Sequence, residues 1–234
     1  MRSDAKAQFQ LEADMAAPVL RWMRRSHLDV KPEFSLPWGI CDFVGVKFDA
    51  AKVQRRLSCG QTRAIGPPLR LHILSRIPQL ESGKCISLKS LEKEFSGYVS
   101  PDLLTREMHR LIQGNFVRSP RQGFFHKVNG WTPLHLSIVA VELKLSRLSD
   151  AVSQATNNLA FATGSYIALP SRFAMRISRS GWRDMLAQRG IGLLAVSSER
   201  CWELLGPSPS EAVCNEIVQS HVIERFWRTR GNSP

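Results

Sequence analysis

Glu142 and Lys144 are the residues whose types and spacing most readily support chemistry. They interrupt a short apolar run, residues 137–145, rich in β-branched side chains and too short for a typical helix. The run predicts a buried strand. Two residues apart on a strand, both charges lie on one face, with Val139, Val141, Leu143 and Leu145 on the other. A carboxylate and an ammonium on a mostly buried strand cost desolvation energy unless they serve as partners or ligands. The plain alternative is a half-exposed strand with an incidental ion pair.

Upstream, residues 40–46 predict another short apolar strand, with one acid, Asp42, near its start. Pro37, Trp38 and Gly39 read as a turn, and Leu36 as the end of a preceding strand from Glu33. A strand carrying Asp, a strand carrying Glu-x-Lys and then an amphipathic helix together resemble the PD-(D/E)xK nuclease superfamily. The resemblance covers roughly residues 8–48 and 134–205. It implies a restriction-endonuclease-like α/β fold, a mixed sheet flanked by helices. By position it implies that Asp42 and Glu142 are metal-binding carboxylates, that Lys144 is the catalytic lysine and that the Leu143 carbonyl is a third ligand. Glu12 matches an auxiliary acid on the N-terminal helix. Gln154 matches the glutamine on the helix that follows the Glu-x-Lys strand. Cys41 stands where the family motif has proline.

The activity so implied is hydrolysis of DNA phosphodiesters with Mg2+ or Mn2+. That reaction needs a water made nucleophilic and a leaving oxyanion stabilised, and divalent metals do both. Two carboxylates converging from neighbouring strands are a minimal cradle for such a hard cation. Lys144 would orient the water and offset negative charge. Gln154 would hold the lysine or a phosphate, and metal and phosphate nearby would keep both carboxylates ionised. Tyr166 reads as a core residue. The 6 histidines show no ligand spacing, so no histidine or zinc chemistry is expected.

Lys plus Arg number 32 against 20 acids, a net +12, which favours a polyanionic partner such as DNA, RNA or an acidic membrane surface. A basic surface without a function is the alternative. At 43% apolar and 22% charged, the 234 residues can bury one full core or two small ones. No apolar run approaches the ~20 residues of a spanning helix, and no signal-peptide core follows Met1. The 5 cysteines, with no Cys-x-x-Cys, read as reduced cytoplasmic thiols.

In chain order, residues 5–25 predict an amphipathic helix with a kink at Pro18, and residues 49–57 a short basic helix. A Gly/Pro/Ser/Thr-rich loop over 58–68 marks a boundary. Beyond it come three helical segments, 69–77, 87–95 and one opened by Ser100-Pro101-Asp102 and closed by Gly114. Residues 116–128 then read as two strands around Pro120-Arg121-Gln122-Gly123. Three short helices and a hairpin resemble a winged helix-turn-helix module. The resemblance implies that Thr105, Arg106, His109, Arg110 and Gln113 face the DNA groove, with Arg118, Arg121 and Lys127 as wing contacts. With ten Lys/Arg and five Asp/Glu, residues 68–131 carry +5. A winged helix that contacts protein is the competing reading.

Thereafter a helix over 148–162, with Gln154 and Asn158 on one face and Asn157 one position round, a strand over 165–170, a helix over 182–189 and strands over 191–197 and 201–205 return to the α/β pattern. A linker at 207–209 precedes a helix over 210–227. The expected organisation is therefore a nuclease-like core in two parts, 1–67 and 132–206, an inserted winged helix at 68–131, and a C-terminal helix and tail at 207–234. The function expected is a metal-dependent endonuclease, in a setting such as prokaryotic defence, that docks duplex DNA, alone, as a homodimer or in a larger complex. The alternative is a non-catalytic DNA-binding regulator or complex subunit that uses the core as scaffold.

Overall fold

A computed structural model describes residues 9–208 and 214–230. A 3-10 turn over Glu12–Met15 leads directly into α1 (Ala16–Arg25). The Asp14 carboxylate caps the turn, accepting from the Gln10 and Leu11 amides at 3.0 and 2.9 Å. Pro18 does not kink the helix. It falls in the first turn of α1, where a missing N–H leaves no hydrogen bond unmade. Residues 5–8 of the expected helix lie outside the described residues.

β1 (Asp29–Leu36) and β2 (Gly39–Phe48) form an antiparallel hairpin, with Leu36 opposite Gly39 and Pro37-Trp38 as a two-residue turn. β1 is longer than its sequence predicts because it is an edge strand, where Pro32 needs no ladder donor. Then come α2 (Ala50–Ser58), capped by the Asp49 carboxylate, and α3 (Pro68–Arg76), with proline at its first position. β3 (Ile86–Ser87) precedes α4 (Leu88–Phe95), and α5 (Pro101–Gln113) is capped by the Ser100 hydroxyl. β4 (Val117–Arg121) and β5 (Phe124–Lys127) pair as a hairpin, with Gly123 at φ +75° in the turn. β6 (His135–Leu143), α6 (Leu148–Asn158) and β7 (Gly164–Pro170) follow. The chain ends its described part with α7 (Ser171–Ile177), α8 (Gly181–Gln188), β8 (Ile191–Val196), β9 (Cys201–Leu205) and α9 (Glu216–Arg230). Residues 209–213, in the expected linker and at the expected start of the last helix, lie outside the described residues.

Two compact units result. One is built from residues up to Lys47 with Leu136–Asn215, the other from Phe48–His135 with the chain from Glu216 onward. The division at 67/68 and 131/132 is therefore corrected. α2 and the 58–67 loop belong to the second unit, and so does the C-terminal helix. A buried ion pair lies within this second unit. Arg56 of α2 is fully buried and donates to both Glu224 oxygens on α9, and the Ile65 amide also donates to Glu224, at 2.7 Å.

The first unit is α/β. Its mixed sheet has the order β1-β2-β6-β7-β8-β9, with β6, β7 and β8 parallel and hairpin pairings at both edges. One face packs on α1 through Val141, Leu143, Tyr166, Ala168, Leu194 and Val196, with Val139 and Leu145 partly buried beside them. The other face carries Ile167, Leu169, Leu193 and Ala195 against α6, α7 and α8. Both faces of the parallel strands are thus covered, as their near-continuous apolar sequences require. Tyr166 is a core residue, edge-on to Trp22 and donating to Glu203 at 2.6 Å. Gly192 is dictated by it, since an added Cβ would lie 2.4 Å from the Tyr166 ring.

The second unit packs α3, α4 and α5 around Leu71, Leu74, Leu91, Phe95, Met108 and Leu111, beside a three-stranded sheet of order β3-β5-β4. No helix among the described residues is long and apolar enough to cross a membrane.

Candidate active site and basic surface

The pairing of β2 with β6 joins residues about a hundred apart in sequence. Asp42 accepts a hydrogen bond at Oδ2 from the Leu143 amide at 2.7 Å, so the acid of one strand is fastened to the motif of the other. Asp42 sits at an irregularity. Pro32 pairs with Phe43 and Phe34 with Cys41, and Glu33 between them, opposite Asp42 in the register, adopts φ +47°.

Glu142 is buried at 2% exposure. Its Oε1 accepts from Asn158 Nδ2 on α6 at 2.7 Å, while Oε2 is buried without a hydrogen-bond partner. Asn158 Nδ2 also approaches Cys41 Sγ at 3.5 Å. Glu142, Asn158, Cys41, Ile40, Trp38 and Gln154 line a cavity of about 60 Å3, room enough for water or a small ion. Burial holds the Glu142 carboxyl above its ordinary range, opposed by Asn158 and reinforced by Asp42. Burial likewise raises Asp42, against the pull of the Leu143 amide and Lys144.

Lys144 lies one residue beyond β6, its amide continuing the ladder to the Ala168 carbonyl at 3.1 Å. Its ammonium pairs with Glu12 Oε2 at 3.4 Å, and Glu12 Oε1 accepts from the Leu145 amide at 3.3 Å. Glu12 thus joins the motif by two contacts. The expected hold of Gln154 on the lysine is corrected. Gln154 is exposed on α6 and faces the Glu142 cavity, and the partner of Lys144 is Glu12.

Two observations bear on a divalent cation. The orphaned Glu142 Oε2 is an unspent oxygen donor beside a small polar cavity. Among the described residues, no group of three or more His, Cys, Asp or Glu could hold a metal. Glu142 Oε2 is thus an open oxygen position at the cavity, while Asp42 is tied through Oδ2 to the Leu143 amide, one residue along the strand from Glu142.

Sequence reasoning assigned no role to Asn158 or Cys41. Asn158 was legible only as the residue sharing a helix face with Gln154, four positions on. None of the five cysteines, all among the described residues, is in a disulfide. Burial and Glu142 push the Cys41 thiol well up, and burial pushes Cys201 up to about 12. Cys85 and Cys214 are exposed and Cys59 half-buried. In native protein, an iodoacetamide time course with peptide mapping should label Cys85 and Cys214 first and leave Cys41 and Cys201 unmodified until denaturant is added. Early labelling of Cys41 would contradict this packing.

On the second unit, Thr105, Arg106, His109, Arg110 and Gln113 are all exposed along α5, and Arg118 and Arg121 are exposed on β4. Arg121 stacks over the Phe124 ring at 3.8 Å. Arg106 and Arg110 are tethered to Glu107, a carboxylate 2% exposed, at 3.7 and 2.8 Å. Lys127 is corrected. It is buried at 5% exposure with its ammonium 5.1 Å from the Trp131 ring, so it does not present itself on the hairpin surface.

The fold thus defines an α/β protein with a mixed six-stranded sheet flanked by helices. Compared with protein-family models, curated proteins and solved structures, the chain has no significant match in any of the three.

Proposed function

We propose that this protein is a metal-dependent DNA endonuclease of the PD-(D/E)xK type. The observation that carries the reading is the junction of β2 and β6. It gathers Asp42, Glu142, Lys144 and Glu12 around residues 142–145, from three separate stretches of chain. A divalent ion bound there would supply Lewis-acid activation of water and neutralise charge on the leaving oxygen. Asp42 and Glu142 would hold it, with Asn158 fixing the rotamer of Glu142 through Oε1 and leaving Oε2 for the ion. Lys144, steadied by Glu12, would orient the attacking water and offset phosphate charge. Gln154 and Trp38 rim the Glu142 cavity, where they meet the substrate.

The second unit supplies docking in this reading. The order α3, β3, α4, α5, β4, β5 resembles a winged helix-turn-helix, with α5 for the major groove and Arg118 and Arg121 on the wing. One observation favours a scaffold role instead: Glu142 is 2% exposed and already tied to Asn158. A plasmid assay separates the two. The nuclease reading expects nicked or linear DNA with Mg2+ or Mn2+, none in EDTA, and binding without cleavage in Ca2+. Bound but intact DNA under every metal condition would establish the scaffold.

A further inference from the structure

The second unit carries a basic groove that runs beyond α5 and the wing, with Arg110 and Gln113 of α5 at one side of it. Residues 63–67 form a ridge between two cavities that share Ala64 and Ile65. One, of about 370 Å3, is lined by Arg63, Arg70 and Arg110. The other, of about 430 Å3, is lined by His221, Arg225 and Arg228 of α9. Five arginines therefore face two adjoining hollows.

The carboxylates nearby are committed elsewhere or shared. Glu224 is committed to the buried Arg56 and to the Ile65 amide. Glu107 serves Arg70 at 2.7 Å, Arg110 at 2.8 Å and Arg106 at 3.7 Å, one carboxylate for three guanidiniums. Arg63 and Arg228 are exposed, and no carboxylate among the described residues forms a salt bridge with either. Arg228 also crowds Arg225, whose own affinity for its proton is lowered by burial and by that neighbour. Like charges held together at a concave surface are a standing cost that an anion removes. The groove is also rigid. Arg56 ties the Gln61 and Arg63 carbonyls at 3.1 and 2.9 Å to α9 through Glu224, so the ridge and the helix keep their spacing.

We propose that this groove binds the phosphodiester backbone of duplex DNA, with the 63–67 ridge between successive phosphates and Arg63 and Arg228 as its outer contacts. The inference rests on the DNA-binding reading of the second unit and extends the footprint from α5 onto α9. Backbone contacts of this kind position the duplex and carry no sequence preference.

The test uses the full chain and a fluorescein-labelled duplex, with anisotropy titrations over a KCl series in Ca2+ so that the DNA stays intact. Arg63→Ala/Arg228→Ala leaves Glu107, Arg56 and Glu224 untouched, and the Arg63 carbonyl remains. Its slope of log K against log salt should fall by about two, with affinity down on the order of tens of fold at about 0.1 M salt. Arg63→Lys/Arg228→Lys should stay near wild type. Arg183→Ala/Arg189→Ala, exposed on the first unit, removes the same net charge and should leave the slope unchanged. Wild-type binding that survives loss of Arg63 and Arg228, or an equal loss in the Arg183/Arg189 variant, would overturn the groove alone. Wild type without salt-dependent duplex binding would overturn the DNA reading and the groove together.

Discussion

Glu142→Ala and Asp42→Ala should each abolish metal-dependent cleavage of supercoiled DNA, with rates down about a thousandfold or more. The size follows from the several kcal/mol that a bound divalent ion supplies, at about 1.4 kcal/mol per decade of rate. Each substitution removes one of the two carboxylates proposed to hold the ion. Asn158→Ala should cost less, about 10- to 100-fold, because it frees Glu142 from its hydrogen bond without deleting the ligand. A readout independent of turnover is the thermal midpoint. Mg2+, Mn2+ and Ca2+ should raise it in wild type, since an ion bound only by the folded state stabilises it, and should not raise it in Glu142→Ala. Wild-type cleavage rates in both carboxylate variants would remove the proposed site. A melting shift that persists in both would place the ion elsewhere.

The largest effect on stability should come from Glu224→Ala. It strands the Arg56 guanidinium, which has 0% exposure and lies between the Phe116 and Trp227 rings at 5.2 and 4.5 Å. Removing one partner of a buried pair costs about 3–5 kcal/mol, and the Ile65 amide loses its acceptor as well. Urea unfolding followed by tryptophan fluorescence should show the transition reporting Trp227 shifted by that amount. Replacing both partners, as Arg56→Met/Glu224→Leu, should recover much of the loss, because the desolvation cost of both charges disappears with them. A Glu224→Ala protein within about 1 kcal/mol of wild type would mean that the pair is solvated in solution.

By itself the sequence determined what depends on near neighbours. The alternation Val139, Val141, Leu143, Leu145 has a period of two, and those residues pack on α1. Ser100-Pro101 starts α5 because a hydroxyl and a ring-fixed φ act within one turn. α7 left no readable signal, since seven residues are too few to show a helical period. The kink expected at Pro18 does not form because its effect depends on where the helix begins, and α1 begins two residues before it.

What only the tertiary structure decided are the choices among partners far apart in the chain. Asp42 as an acid on a strand was legible, but its bond to the Leu143 amide needs β2 and β6 side by side. Glu142 had Lys144, Gln154 and Asn158 within 16 positions of it, and packing of α6 on the sheet gave it Asn158, while Glu12 took Lys144. Lys127 has a surface residue's chemistry, yet it lies buried beside Trp131. Arg56 and Glu224 stand 168 positions apart, and each alone reads as an ordinary surface charge. Their burial is favourable only as a pair, because either charge without the other would cost more than the surrounding core returns. Such an interaction has no local period or spacing, so it exists only once the chain has brought α2 and α9 together.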